Sequence, residues 1–441
     1  MDVPSFDTAR IVALTGGRAH GRGGAGPITA NYQTMARGEW FVALAGDGFD
    51  DHVNVPEAAR REVAGVIVQR AFPELSVPQV VVPDTWSALR SLASSARDRF
   101  AGPVVAVTGS NGKTTTRALT QCALAPLGPV HHTTHNHNSQ PGLCLTLLAC
   151  PRSSVAQVIE IGTSGPGVIA REAALVRPTV RIVTNADAAH LEALGSVDGV
   201  AREKAALIAT ARPGDTVVVD AADPRLAAWP VPEGVRRVTV GAGGLVELVH
   251  TEVRDQRLRA RFATPSGEVT ATLQTTAPFV AANARFALAA SLTLGVDPRE
   301  AADALSAFSA VGRRMNSHPV SGAWLVDDTF NASPASVVAA VRWLATQERP
   351  RIAVLGDMAE LGEHQARYHD EVLREVLAAD LDDVLLVGPC LHEAAAGHGL
   401  ATTDDLDQAV SWLRERLRPG STALVKASRA MGLDRVVDAC R

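Results

Sequence analysis

A short apolar run, Val104–Val107, leads into Thr108-Gly109-Ser110-Asn111-Gly112-Lys113-Thr114-Thr115-Thr116. A helical stretch carrying Ala118, Leu119, Cys122 and Leu124 follows. A strand, a glycine turn, Lys-Thr and then a helix make a phosphate cradle. Loop N–H groups and the helix N-terminus face the anion, a lysine reaches the outer phosphates, and a threonine hydroxyl suits Mg²⁺. An ordinary glycine turn is the bland alternative, but Lys-Thr at a strand–helix junction argues against it. Counted from Thr108, the loop is one residue shorter than the standard form. Gly109, Asn111, Gly112, Lys113, Thr114 and Thr115 are therefore the first nucleotide-binding candidates.

Such a loop belongs to an α/β sheet, and the rest of the chain agrees. Its 441 residues suggest about three domains. Before the loop, Trp40–Leu44, Gly65–Val68 and Val80–Val82 read as short strands, with helices near 55–62 and 85–100. Gly16–Gly26 reads as a flexible surface loop. From 104 onward, strands at 104–108, 158–162, 181–184 and 216–220 are separated by helical stretches, which predicts a mostly parallel sheet covered on both faces. An apolar helix is expected at 283–294. Further strands at 351–355, 383–387 and 422–425 alternate with helices at 335–345, 364–377 and 406–417, as in a doubly wound sheet. The predicted division is an N-terminal α/β domain, 1–100, a central phosphate-loop domain, 101–316, and a C-terminal Rossmann-like domain, 317–441.

Net charge is −5, with no basic excess to support a nucleic-acid partner. No apolar run is long enough to span a bilayer, and residues 1–4 lack the pattern of a signal peptide. Five scattered cysteines without a Cys-x-x-Cys pair fit reduced thiols and a cytoplasmic location. Nothing in the sequence sets an oligomeric state. Only three of 42 basic residues are lysines: Lys113, Lys204 and Lys426. Only lysine can serve as a neutral nucleophile, so these three positions stand out.

Several motifs, in order, resemble the Mur ligases and their folylpolyglutamate synthetase relatives. The loop T-G-S-N-G-K-T-T-T is similar to their ATP loop. Val158–Ser164 resembles I-E-M-G-A-S. Thr184-Asn185 through Ala189-His190-Leu191-Glu192 and Gly195-Ser196 resembles T-N-x-x-x-A-H-L-E…G-S. Ala201–Lys204 resembles A-x-x-K. Asp327–Pro334 resembles D-D-S-Y-N-A-N-P, Leu355–Gly362 resembles L-G-D-M-x-E-L-G, and Val425–Arg429 resembles V-K-G-S-R. The last three point to the branch that adds D-alanyl-D-alanine to UDP-N-acetylmuramoyl-tripeptide. All three lysines fall inside these motifs.

The resemblance implies an ADP-forming amide ligase. ATP would phosphorylate a carboxylate, and a small amine (an amino acid or dipeptide) would attack the acyl-phosphate. Lys113, Glu160, His190 and Lys204 are the implied catalytic set. Thr114 and Glu160 would hold one Mg²⁺. His190 would contact a second, and Lys204, carrying a CO₂-derived carbamate, would help hold it. Asn283 would lie on the adenine side. Arg313 or Arg314, Asp328 and Asn331 would close on ATP from the C-terminal domain, although Ser333-Pro334 also signals an ordinary helix start. Asn31, Tyr32, Gln33, Asn136, Asn138, Ser139, Thr163 and Ser164 would face the acid. Asp357, Glu360, Lys426, Ser428 and Arg429 would face the amine. The cluster His131–Asn138 invites a zinc reading, but no cysteine or acid stands at ligand spacing, and it aligns better with the family's T-x-G-N-x-N-N loop.

Three departures fall on substrate-facing positions. The family's T-D-S-R becomes Ala30-Asn31-Tyr32-Gln33, G-N-x-N-N-[ED]-x-G becomes His135–Gly142, and the flanks of H-N-x-x-N become Ala282 and Phe286. A site that has lost hydrogen-bond partners loses discrimination sharply. The expectation is thus a ligase with a non-standard acid, in specialised metabolism. The alternatives are the peptidoglycan enzyme with drifted motifs, or a catalytically silent nucleotide-binding homologue, which intact Lys113, Glu160, His190 and Lys204 disfavour. The N-terminal unit and the L-G-D-M-x-E-L-G segment disfavour a folylpolyglutamate-type enzyme.

Overall fold

The computed structural model describes residues 3–46, 48–134 and 137–441. Three principal α/β sheets follow one another along the chain, as the alternating apolar runs predict. The first has five short strands in the order Arg18–His20, Gln79–Val81, Gly65–Val68, Trp40–Val42, Ile28–Thr29. Its first pair is antiparallel and the others are parallel. Gly16–Gly26 therefore holds an edge strand where a loop was expected. All three strand residues, 18–20, are exposed, so main-chain pairing made the strand without leaving an apolar signature.

The helix Thr85–Asp98 begins where Asp84 accepts from the N–H groups of Trp86 and Ser87. Leu89, Leu92, Ala93 and Ala96 then fall on one buried face. Its buried Arg97 donates to the carbonyls of Val176, at 2.6 Å, and Arg177, at 2.8 Å. A cation thus satisfies the orphaned carbonyls that end the Val168–Val176 helix.

The middle sheet runs Arg236–Val240, Thr216–Asp220, Val180–Val183, Val104–Thr108, Ala156–Glu160, Val130–His132. The 104–108 and 216–220 strands coincide with those expected. A three-stranded antiparallel meander, Glu247–Arg254, Arg257–Thr264 and Gly267–Leu273, was not anticipated. Its signal is the alternation of buried Leu258, Ala260 and Phe262 with exposed Arg257, Arg259 and Arg261.

The C-terminal sheet has the order Asn316–Val320, Ala323–Asp328, Thr422–Lys426, Arg351–Gly356, Asp383–Val387, Ala401–Thr403. The 316–328 hairpin is antiparallel and the remaining pairs are parallel. The expected strands and the helices Pro334–Leu344, Gln365–Ala378 and Leu406–Arg416 are present. Ala323–Asp328, the second of the six strands and largely buried, was missed although it delivers Asp327 and Asp328.

The chain divides into two compact units. One comprises Met1–Ala106, Leu127–Gly162 and Ala170–Val180. The other comprises Val107–Pro126, Thr163–Ile169 and Arg181–Arg441. Among the described residues, no helix is long and apolar enough to cross a membrane.

In the first unit, Trp40 is fully buried and its indole N–H donates to the Gly24 carbonyl at 3.0 Å. A Cβ on Gly65 would lie 2.3 Å from that ring, and a buried ring held by a hydrogen bond has little room to retreat. Gly65→Ala should lower stability by about 1–3 kcal/mol. The midpoint of urea unfolding, followed by tryptophan fluorescence, checks this.

Candidate active site

The phosphate loop is built within the second unit. Gly112, with φ of 77°, precedes the helix Lys113–Leu124. The left-handed turn at Gly112 starts the helix, whose first N–H groups have no partner within the helix. Lys113 Nζ donates to the carbonyls of Gly109, at 2.8 Å, and Ser110, at 3.0 Å. Thr114 is buried, while Thr115 is half-buried.

The loop is braced by the segment following the 180–183 strand. Thr184 Oγ1 donates to the Asn111 carbonyl at 2.7 Å, and Asn185 Oδ1 accepts from the Asn111 N–H at 2.9 Å. Ser110 Oγ donates to the Asp187 carbonyl at 2.9 Å and accepts from the Asp187 N–H at 3.0 Å. A Cβ on Gly109 would stand 1.9 Å from Thr184 Oγ1. Asn111 is thus stapled through both backbone groups. Its side-chain oxygen accepts from Ser333 Oγ at 2.7 Å, and its amide reaches Asp187 at 3.4 Å. Burial pushes the Asp187 carboxyl above its ordinary range, against that contact. Sequence reading quoted Thr184-Asn185 as a motif but did not count Thr184, Asn185, Ser110, Asp187 or Ser333 as site residues. Their register to the loop was the missing information.

Asn283, on the helix Pro278–Thr293, stands against Gly112. An alanine there would put its Cβ 2.7 Å from Asn283 Oδ1 and force a non-glycine residue into a left-handed backbone. That conformation costs roughly 1–2 kcal/mol. Gly112→Ala should weaken ATP binding at least about tenfold, as read by isothermal titration with a non-hydrolysable analogue.

Lys204 is wholly buried on the helix Val197–Ala209. Its neighbour Glu203, also buried, accepts from the N–H groups of Gly167, at 2.7 Å, and Ile169, at 2.8 Å. Thr163 Oγ1 lies 2.8 Å from the Gly165 carbonyl and 3.2 Å from Glu203 Oε1, its one proton shared between them. Glu203 was quoted only as part of a motif, yet it fixes the turn that carries Thr163. Ser164 is exposed. His190 precedes the short helix Leu191–Leu194 with a φ of 55°, and its Nδ1 lies 2.5 Å from Glu360 Oε2. The hydrogen bond with His190, chiefly, and the charge of Lys113 hold the Glu360 carboxyl below its ordinary range.

The C-terminal sheet brings Asp328, Asn331 and Lys426 together. Lys426 Nζ donates to Asp328 Oδ2 at 2.6 Å and to the Asn331 carbonyl at 3.0 Å. Burial pushes the Asp328 carboxyl up, against the pull of Lys426. Arg313 instead pairs with Asp327, at 2.8 Å, and Asp438, at 2.7 Å, while Arg314 stacks on Phe330 at 3.6 Å. Ser428 Oγ accepts from the Ala359 N–H at 2.8 Å. Arg429 is exposed, 5.7 Å from the Phe330 ring centre. Asp357 accepts from the N–H groups of Cys390 and Leu391 at the start of a helix. With His369 and Cys390 it forms a metal-like cluster. His369 Nε2, however, already accepts from the Met358 N–H at 3.0 Å, and Nδ1 faces the Gln365 carbonyl at 2.8 Å, so the ring has no free lone pair. Removing Lys426 would leave Asp328 buried without its cation. Lys426→Met should therefore destabilise the C-terminal domain by about 3–5 kcal/mol, measurable as a lower unfolding midpoint.

In the first unit, Asn138 Nδ2 donates to Glu160 Oε1 at 2.8 Å, and the Glu160 N–H donates to Thr133 Oγ1 at 3.0 Å. The acid-side candidate Asn138 and the buried Glu160 are thus neighbours. Ser139, exposed, precedes the helix Gln140–Leu148. Asn136 lies outside the described residues. His131 faces the Thr146 carbonyl at 2.7 Å. Asn31, Tyr32 and Gln33 form an exposed turn in which Asn31 Oδ1 accepts from the Gln33 N–H at 3.0 Å. Arg61 clasps that turn through the carbonyls of Tyr32, Gln33 and Met35. No motif had singled out Arg61.

A braced phosphate loop on a parallel sheet, followed by a Rossmann-like C-terminal sheet, is the architecture of a nucleotide-dependent ligase. Residues 107–291 match the Mur ligase middle domain, and residues 313–429 match the Mur ligase glutamate ligase domain. The UDP-N-acetylmuramoyl-tripeptide–D-alanyl-D-alanine ligase of Synechocystis sp. is 32% identical over 93% of this chain and 90% of its own. The ligase of that name from Escherichia coli is 31% identical over 93% of each. A crystal structure of MurF from Acinetobacter baumannii superposes with a TM-score of 0.90 at 26% identity, covering 99% of each chain. MurF from Thermotoga maritima in complex with ADP gives 0.84 at 28% identity, covering 94% of this chain and 96% of that one. The chain belongs to the Mur ligase family, and it is an ATP-binding, ADP-forming amide ligase.

Proposed function

We propose that this chain joins D-alanyl-D-alanine to UDP-N-acetylmuramoyl-tripeptide in peptidoglycan synthesis. The observation that carries the proposal is similarity along nearly the whole chain, the N-terminal region included, to ligases named for that reaction. The comparisons support this alternative better than the non-standard acid expected from the sequence. The altered turn at Asn31, Tyr32 and Gln33, with the departures at 135–142 and at Ala282 and Phe286, still favours another acid.

In this reading the domains run 1–100, 101–316 and 317–441. The acid is bound from the N-terminal side, through Asn31, Tyr32, Gln33, Asn136, Asn138, Ser139, Thr163 and Ser164. The amine is bound from the C-terminal side, through Asp357, Glu360, Lys426, Ser428 and Arg429. Gly109, Asn111, Gly112, Lys113, Thr114, Thr115, Asn283, Arg314, Asp328 and Asn331 serve ATP. Arg313, engaged by Asp327, Asp434 and Asp438, serves by holding the 327–330 segment. ATP use and five cysteines that are free thiols fit a cytoplasmic setting.

The donors present fit magnesium. Thr114 carries a hydroxyl and Glu160 a carboxylate, hard oxygens of the kind magnesium takes. His190 has its Nδ1 engaged, which leaves Nε2 as the ring's other donor atom. Bound there, the metal would neutralise charge on the phosphoryl group in transfer. Complete burial of Lys204 penalises an ammonium ion, and the neutral amine is the form that adds CO₂ to become an anionic carbamate. Lys113 would draw the outer phosphates toward the loop.

The test is turnover of the pure enzyme with Mg²⁺-ATP, bicarbonate, UDP-N-acetylmuramoyl-tripeptide and D-alanyl-D-alanine. Pentapeptide product by mass spectrometry, with matching phosphate release, is the expected result. ATP binding without product would return the search to other acids. Lys204→Met should lower turnover by about 10²–10³ while ATP-analogue binding persists.

A further inference from the structure

Two segments of the second unit meet at a contact that phosphate chemistry alone does not call for. His190 and Glu360 both adopt left-handed backbones, with φ of 55° and 63°, although neither is glycine. Such conformations persist where surrounding contacts over-determine them. Here the His190 carbonyl accepts from the N–H groups of Ala193 and Leu194. The Glu360 carbonyl accepts from the Glu192 N–H at 3.1 Å. One turn further on, His364 Nε2 lies 3.4 Å from the Gly195 carbonyl. The 360–364 segment is thus seated along the 190–195 turn, and the seating brings Glu360 Oε2 to 2.5 Å from His190 Nδ1.

We infer that Glu360 is a positioning residue for His190, fixing the imidazole so that Nε2 is the atom offered to a metal ion. A neutral imidazole has one N–H and one lone pair, and which nitrogen holds which follows from its partners. A carboxylate on Nδ1 holds the proton there and leaves the lone pair on Nε2. Glu360 belongs to the C-terminal domain and His190 to the central one. The metal contact is therefore completed only when the 360–364 segment is seated. This rests on the reading of His190 as a contact of the second magnesium.

Mn²⁺ binding, followed by electron paramagnetic resonance with a non-hydrolysable ATP analogue and bicarbonate, tests it on the full-length protein. The expected result is two Mn²⁺ ions in the wild type. Glu360→Ala should keep the first and bind the second about 10–100-fold more weakly. Glu360→Gln, which keeps an acceptor oxygen and the side-chain volume, should lie between and guards against misfolding of the alanine variant. In ¹⁵N spectra of histidine-labelled enzyme, the His190 ring should be protonated at Nδ1 in the wild type and a tautomer mixture in Glu360→Ala. Equal second-site affinity in wild type and both variants, or an unchanged His190 tautomer, overturns the positioning role. If the wild type binds two ions and His190→Ala does too, with unchanged affinity, the metal reading of His190 fails and this inference fails with it.

Discussion

A loop that cradles phosphate must leave N–H groups unsatisfied by the protein while staying rigid enough to keep them aimed. In this chain the segment 184–187 meets that demand. Thr184 and Asn185 hold both backbone groups of Asn111, and Ser110 exchanges two hydrogen bonds with Asp187. The geometry leaves no space for a side chain at Gly109. Neighbouring strand ends thus become braces for one another, and the requirement fixes which residues may follow the 180–183 strand. The same loop is touched by Ser333 from the segment that follows the 323–328 strand, so the bracing of the loop and the placement of that segment share one residue, Asn111.

Buried charge is the second organising constraint. An ionised group inside a protein needs partners that replace water. Glu203 meets this with two backbone N–H groups and a threonine hydroxyl, Arg97 with three carbonyls, and Arg181 with Asp215 at 2.7 Å. Lys426 and Asp328 meet it with each other. These networks set the positions of elements that carry site residues. Glu203 holds the turn bearing Thr163, and the Lys426–Asp328 pair locks the ends of two neighbouring strands. A chain that uses arginine nearly everywhere retains lysine at three sites, two of them wholly or almost wholly buried. At Lys426 a compact ammonium fits beside Asp328 where a guanidinium fork does not.

The N-terminal turn at 31–33 is organised differently. Asn31, Tyr32 and Gln33 sit on an exposed turn whose shape comes from its own hydrogen bonds and from Arg61. Exposed turns accept substitution with little cost in stability. Changes there leave the fold intact; read as substrate-facing by resemblance, they suggested another acid from sequence alone, while overall similarity is to ligases named for the peptidoglycan substrate.

Much was legible in the sequence. Apolar runs of strand length, a glycine turn followed by Lys-Thr, and helical spacing are local signals, and they determined the α/β class, four of the six strands in the middle sheet, three of the six in the C-terminal sheet, and the phosphate loop itself. What the sequence could not supply was register between distant segments. The strand at 18–20 is held by main-chain pairing that exposed side chains do not record. The brace at 184–187, the Asn138–Glu160 hydrogen bond and the partner of Lys426 each join residues over 20 positions or more. His190 and Glu360 stand 170 positions apart and meet only because the fold seats one turn along another. Composition and spacing chose the residue types, since those follow from local propensity and chemistry. Only the tertiary structure decided which of them would share a hydrogen bond, because that depends on how the sheets and turns pack.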